Sequence, residues 1–278
     1  MSSGGHLRIE RRRLDLRAMV PSIYEFPDIF RRVHKEQPYE IGEEVRFLRK
    51  VWERHAPQPV QRVLDLACGN SPHGQILARG GIEVAGIDRS ATMIAAGQRE
   101  SRGLKNIRFY RRPIERFKIP ARGFDAAIFM SETFPVMTAN AAIVSHLESA
   151  AAALRRGGLY VIDIDRHVEP RVARARKLWR ERTLNVCGAK VAVRAHSRPA
   201  PWYSGIHSIF DLECEIEFSD RTVKTRDLIP VRYTVPATLE LLARASGKFT
   251  MVAAYADLSF EIAMENCERR WWGVLRRL

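Results

Sequence analysis

Cysteine is scarce, and its four positions, Cys68, Cys187, Cys214 and Cys267, share no paired spacing. That excludes a disulfide framework or a zinc ribbon and leaves four free thiols, as in a reducing compartment. Runs of about 18 or more uncharged apolar residues are missing, so no membrane-spanning helix is expected. Met1 to Arg13 is polar and then basic, without the apolar stretch of a signal peptide, so a cytoplasmic protein with a basic, disordered 1–19 is expected. No internal repeat and no ligand spacing for a metal is present. Acidic residues are the minority charge, 32 against 46 Lys and Arg, for a net charge of +14. Such an excess admits a nucleic-acid partner. However, it concentrates in Arg11-Arg12-Arg13, Arg171 to Arg182, Arg269-Arg270 and Arg276-Arg277, without alternating aromatics on which bases could stack. An anionic small substrate accounts for the charge equally well, and nucleic acid is the weaker expectation.

A further lack decides the cofactor class. The turn after Val63-Leu64-Asp65-Leu66 reads Ala67-Cys68-Gly69-Asn70-Ser71-Pro72-His73-Gly74. A dinucleotide fingerprint needs three glycines so that a pyrophosphate can reach the helix N-terminus. Here the second and third glycine positions of that pattern are not filled. Asp65 before the turn would repel a phosphate and suits a cationic group such as an ammonium. Ser71 is expected to cap the following helix, with Pro72 in its first turn. Val84 to Ile87 is a second buried strand, and Asp88 at its end stands where a carboxylate accepts hydrogen bonds from ribose hydroxyls. A ribose acceptor and an ammonium acceptor together describe a site for S-adenosylmethionine.

Val63 to Gly69 resembles the first motif of class I S-adenosylmethionine-dependent methyltransferases. Gly86-Ile87-Asp88-Arg89-Ser90 through Met93-Ile94 resembles the second, Phe124 to Ile128 the fourth strand, and Leu154 to Asp163 the loop and strand that follow. The resemblance covers roughly residues 60 to 165. It implies an α/β, Rossmann-like, doubly wound seven-stranded sheet, closed by a hairpin read at Phe249–Tyr255 and Leu258–Met264. Two positions depart from the family: Ser71 replaces a usual glycine, and Pro113 stands where an acid for the adenine amino group is common. Adenine recognition then falls to the backbone of Ile114, with Glu115 beside it. The resemblance further implies Ala67, Gly69, Arg89, Met93 and Met130 around the cofactor, and Tyr24 and Tyr39 from a segment folding over it.

Residues 20–56 read as a helical cap, 57–184 and 233–278 as the core, and 185–232 as an antiparallel insert rich in Val, Ile, Phe and Thr. Val168 to Thr183 reads as a charged helix before it. An insert at this point resembles the small-molecule subgroup, including amino-sugar and glycine or sarcosine N-methyltransferases, where the extra sheet covers the substrate as a lid. The expected reaction is methyl transfer to nitrogen or oxygen of a small metabolite. The alternatives are an RNA or protein methyltransferase, or an inactive cofactor-binding relative; a homodimer is also admitted. No Asn-Pro-Pro-Tyr or Pro-Cys stands after the fourth strand, which is against base methylation. Methyl transfer needs alignment, exclusion of water and a base for a protonated nucleophile. Glu132 after strand four and His167 after Asp163 and Asp165 are the candidate bases. Tyr203 and His207, with Trp202, are candidates for the pocket wall. Arg226 and Arg232 are candidates for a substrate carboxylate, with pairing to Glu213, Glu215 or Glu217 across the sheet as the alternative. Because the cofactor motifs precede Ile164, the insert is expected to be separable from cofactor binding.

Overall fold

Two sheets organise the chain, and each buries its apolar residues by a different rule. A computed structural model describes residues 21–34, 40–165, 177–200, 206–268 and 270–278. The larger sheet contains β1 (Arg62–Leu66), β2 (Glu83–Asp88), β3 (Ile107–Arg111), β4 (Phe124–Phe129), β5 (Leu154–Asp165), β10 (Phe249–Ala256) and β11 (Arg270–Arg277). Their order is β3-β2-β1-β4-β5-β11-β10, with β1 to β5 parallel and β11 antiparallel to both neighbours. The strand order reverses at β1, so the ligand crevice of such a sheet lies beyond the carboxyl ends of β1 and β4.

Both faces of this sheet are covered. Val63 packs on one side with Leu48, Val51 and Trp52 of α2 (Ile41–His55) and Leu77 of α3 (Pro72–Arg79). Its neighbour Leu64 points to the other side, with Leu147 of α5 (Asn140–Ala153) and Leu239 and Leu242 of α6 (Pro236–Ser246). This alternation explains why β1 reads as a continuous apolar run. Leu64 is fully buried, and truncating such a side chain costs ~2–5 kcal/mol. The helix α6 stops at Gly247, whose left-handed φ of 63° closes the last turn.

The smaller sheet is antiparallel: β6 (Lys177–Val186), β7 (Ala189–Pro199), β8 (His207–Glu217) and β9 (Thr222–Arg232), in sequence order. Its apolar face does not rest on the larger sheet's core. Val191, Val193, Leu212, Cys214 and Ile216 pack instead on Ile23, in a 3-10 turn at Ile23–Glu25, and on Ile29 and Val33 of α1 (Pro27–His34). The N-terminal segment and the insert therefore share one hydrophobic core.

Three sequence expectations need correction here. The antiparallel sheet begins at Lys177, not 185, because Lys177–Thr183 forms a strand paired to β7 instead of ending a helix. Residues 208–212 and 215–218 read from sequence as two separate strands, but a single strand, β8, runs through both as far as Glu217 and then turns back into β9. The closing hairpin pairs β10 with β11, not with Leu258–Met264. Asp257 and Leu258 take left-handed φ values of 49° and 56°, breaking the chain away from the sheet. The Asp257 carboxylate then accepts from the N–H groups of Glu268 (2.6 Å) and Arg270 (3.0 Å), starting β11 eleven residues or more downstream. No helix among the described residues is long and apolar enough to cross a membrane.

Candidate active site

The turn after β1 is built from alternating left-handed residues: Ala67 (φ 52°), Gly69 (φ 56°) and Ser71 (φ 57°). Non-glycine residues here cost about 1–3 kcal/mol each and persist only when neighbours hold them. Ser71 is held by its hydroxyl, which donates to Asp65 Oδ2 at 2.6 Å. It therefore makes no side-chain cap on α3, contrary to the sequence expectation. Burial raises the Asp65 carboxyl to about 6, while His73 and the Ser71 hydroxyl pull the other way. Asp65 is almost completely buried, and both Ser71 and the backbone of Gly74 bond to it. Its visible work is to hold the turn.

Asp88 closes the turn from the next strand. Its Oδ2 accepts from Gly69 N–H at 2.9 Å and its Oδ1 from Ser90 N–H at 2.8 Å. A Cβ on Gly69 would stand 3.1 Å from Met93 Cε, in addition to the positive φ. Met93 is buried against this turn, Arg89 beside Asp88 is exposed, and Met130 is buried at the end of β4. Ile114 is buried and its carbonyl meets His146 Nδ1 at 2.6 Å, leaving Glu115 exposed on the loop.

The 3-10 turn that carries Tyr24 packs against α4 (Ala91–Glu100), the helix that follows Asp88 in the chain. Burial, with the charges of Asp227 and Asp88 nearby, pushes the Tyr24 phenol up to about 12. The preceding turn is tied to β9: Ser22 Oγ donates to Asp227 Oδ1 at 2.7 Å and Ile23 N–H to Oδ2 at 3.0 Å. Arg182 of β6 also donates to the carbonyl of Val33 at the end of α1. The segment that carries Tyr24 is thus tied to the insert by hydrogen bonds with two of its strands, a link that the sequence reading did not include.

A second group of charges occupies the far end of the same edge. Arg270, at the start of β11, is almost wholly buried. It donates to Asp163 Oδ2 at 2.5 Å and to Glu44 of α2, and its Nε stands 3.4 Å from Glu132. His73 Nε2 meets the other Glu44 oxygen at 2.5 Å. Burial works against ionisation of Glu44, but His73 and Arg270 outweigh it and lower its pKa. Burial also works against a charged His73, and Glu44 reverses that. Asp163 is raised to about 6 by burial despite Arg270. Glu132 is raised well above the carboxylate range by burial and by the charge of Asp165. Ser131 and Glu132 are both left-handed (φ 60° and 56°), and Glu132 N–H donates to Asp163 Oδ2 at 3.3 Å. The backbone thus turns the Glu132 side chain back over the strand ends. Asp163 Oδ1 is buried without a hydrogen-bond partner among the described residues.

The turn after β1 gathers Asp65, Ala67, Gly69, Asp88 and Met93, while Met130 and Glu132 follow β4 at the same edge of the sheet. Tyr39, His167, Trp202 and Tyr203 lie outside the described residues. His207 Nε2 stands 3.1 Å from the carbonyl of Thr138. Arg226 is engaged by Asp211, a partner the sequence did not suggest, through Nε (2.9 Å) and Nη2 (2.6 Å), with Glu213, the cross-strand alternative it did suggest, at 3.3 Å. Arg232 is buried and donates to Asn140 and the Thr138 carbonyl. Both guanidinium groups are thus committed within the protein. Sequence reasoning missed Glu44, His73, Asp227 and Arg270. Glu44 carries a signal in hindsight: it interrupts the buried stripe Val45, Leu48, Val51 and Trp52 of an amphipathic helix.

The backbone and charges fit S-adenosylmethionine. Asp88 sits at a strand tip beside a turn in which a Cβ at Gly69 would crowd Met93, and Asp163 Oδ1 at the far end of the edge has no hydrogen-bond partner among the described residues. No His/Cys/Asp/Glu cluster able to hold a metal occurs among the described residues.

Comparison with known proteins agrees with this architecture. Residues 63–158 match the family model described as a methyltransferase domain. No curated protein matches the chain. Among solved structures, it is similar to an S-adenosylmethionine-dependent methyltransferase from Clostridium acetobutylicum (13% identity, TM-score 0.74, 89% of this chain and 97% of that one). It is also similar to the sugar N-methyltransferase KedS8 from Streptoalloteichus (18% identity, TM-score 0.73, 99% of this chain and 100% of that one). A third is CalS10, an amino pentose methyltransferase from Micromonospora (14% identity, TM-score 0.67, 88% and 96%). Residues 63–158 thus match a methyltransferase domain, and the chain as a whole has the fold of class I S-adenosylmethionine-dependent methyltransferases.

Proposed function

We propose that the protein transfers a methyl group from S-adenosylmethionine to a nitrogen or oxygen of a small molecule held between the strand ends and the four-stranded sheet. The observation that carries this reading is the shared edge: the Asp88 turn at one end, Glu132 and Asp163 at the other, with the insert leaving after β5 and returning before α6. The sulfonium supplies an electrophilic methyl group, so the protein's task is alignment and proton removal. Asp88 binds the ribose side, the turn from Ala67 to Gly69 lies along the cofactor, and Tyr24 covers it. Glu132, with a carboxyl raised by burial, takes the proton from the acceptor. Asp163 and Arg270 hold Glu132 in place through its N–H and its carboxylate. The similarity to a sugar N-methyltransferase and an amino pentose methyltransferase supports a small-molecule acceptor that carries an amine.

Calorimetry with S-adenosylmethionine, then methyl transfer on panels of amino sugars, small amines and alcohols with total RNA as a separate arm, tests this. The expected outcome is micromolar cofactor binding and turnover confined to the small-molecule arms. Absence of cofactor binding, or turnover on RNA alone, overturns it.

A further inference from the structure

We infer that Asp227, on the last strand of the acceptor-covering sheet, is a positioning residue for the cofactor site. It holds the 22–25 turn so that Tyr24 lies over the Asp88 edge. The inference rests on the proposed function and adds that cofactor and acceptor binding are mechanically linked.

The geometry is specific. Asp227 uses both carboxylate oxygens on the turn, taking the Ser22 hydroxyl at 2.7 Å and the Ile23 N–H at 3.0 Å. The same Ser22 Oγ accepts from Tyr24 N–H at 3.2 Å, and Glu25 accepts from Ser22 N–H at 3.3 Å. Asp227 is thereby wired to the backbone of Tyr24 through one hydroxyl. A charged acceptor makes these bonds stronger than neutral ones.

The alternative anchor for this segment is α4 (Ala91–Glu100), and its ties are weaker. Arg31 reaches Glu100 at 3.4 Å and Arg99 reaches Asp28 at 3.8 Å, with both arginines about half exposed. Pairs of that kind contribute little. On the insert side, Ile23, Ile29 and Val33 are buried among β7 and β8 residues. The segment therefore packs on both α4 and the insert, and its 22–25 turn is pinned by Asp227 from the insert side. An acceptor that orders the insert also orders Tyr24, and reciprocity requires that the cofactor favour the same arrangement of the insert.

Asp227→Ala should raise the Kd for S-adenosylmethionine, and for S-adenosylhomocysteine, about tenfold by calorimetry. Turnover at saturating cofactor should stay near wild type, so KM for the cofactor moves and kcat does not. A purely structural loss would instead lower kcat through the active fraction and leave KM unchanged. Amide exchange at Ile23 should quicken in the cofactor-free protein. Asp227→Asn, which keeps an oxygen acceptor, should recover most of the affinity. Tyr24→Ala should add little once Asp227 is gone. Should Asp227→Ala fail to fold, Ser22→Ala cuts the same wire from the other end and should weaken cofactor binding as well. Unchanged cofactor affinity in a folded Asp227 or Ser22 variant overturns the inference. Failure of the wild-type protein to bind cofactor overturns the functional reading instead, and is recognised because Ile23 exchange still reports the pin.

Discussion

The two sheets hold their charges in opposite ways. At the ends of the seven-stranded sheet, Arg270 is buried with Asp163, Glu44 and Glu132, and His73 shares Glu44. On the outer face of the four-stranded sheet, charges pair across strands in solvent: Arg194 with Glu181 at 2.7 Å and Lys224 with Glu215 at 3.5 Å, all more than half exposed. The first arrangement is costly to assemble and costly to break; the second tolerates change. This contrast teaches where sequence variation can be absorbed. A cofactor edge is common to every acceptor, whereas the face of a lid can be rewritten without unfolding the core.

Removing the buried cation should break this contrast most strongly. Arg270→Met should destabilise the protein by ~3–5 kcal/mol in denaturant unfolding, because carboxylates remain buried without a counter-charge. The loss should shrink below pH 6, where Asp163, raised to about 6, takes up a proton.

The second effect depends on pH. His146 is buried between the Ile114 carbonyl and the Tyr160 hydroxyl, and burial lowers its pKa to about 4 from 6.5. The unfolded chain binds the proton first, so this residue's contribution is complete above pH 6.5 and is lost as pH falls toward 4. The loss is on the order of 3 kcal/mol. Asp65 and Asp163, both raised to about 6, act with the opposite sign. Their contribution is complete below pH 3.8 and fades as pH rises through 6. Comparing wild type with His146→Gln isolates the histidine: the wild-type curve should fall more steeply on acidification from pH 6.5 to 4.

Chemistry at the edge sharpens the comparison further. Glu132→Gln should lower turnover about a hundredfold, within the range for loss of a general base, with cofactor Kd nearly unchanged. Asp88→Ala should weaken S-adenosylmethionine by roughly 1.5–3 kcal/mol in calorimetry. On the insert, Arg194→Ala should leave the denaturant midpoint within experimental scatter of wild type, because its partner Glu181 stays in solvent. A large effect there would mean the insert's surface charges are not interchangeable.

The turn that joins the first two strands was legible because its parts are close in sequence. Asp65, Gly69 and Asp88 follow one strand, one turn and the next strand, and local backbone geometry joins them. The charge cluster was not, because Glu44, Asp163 and Arg270 come from α2, β5 and β11 and meet only after the sheet forms. The strand at Lys177–Thr183 was hidden by its helix-forming composition, which pairing with β7 overrides. The β11 strand was hidden by Leu258, Phe260 and Ile262, whose alternation imitates a strand that Asp257 turns aside. Nor could spacing reveal that Asp227 reaches back to Ser22, 205 positions away in the chain.

The burial of Arg270 also imposes an order on birth. A ribosome delivers Glu44, Glu132 and Asp163 first and their shared cation last. Until β11 emerges, the nascent edge carries carboxylates that cannot be sealed from water without a proton or a borrowed counter-ion. Earlier segments can collapse as they appear. The final closure of this edge, and with it the proposed activity, waits for a single late arginine.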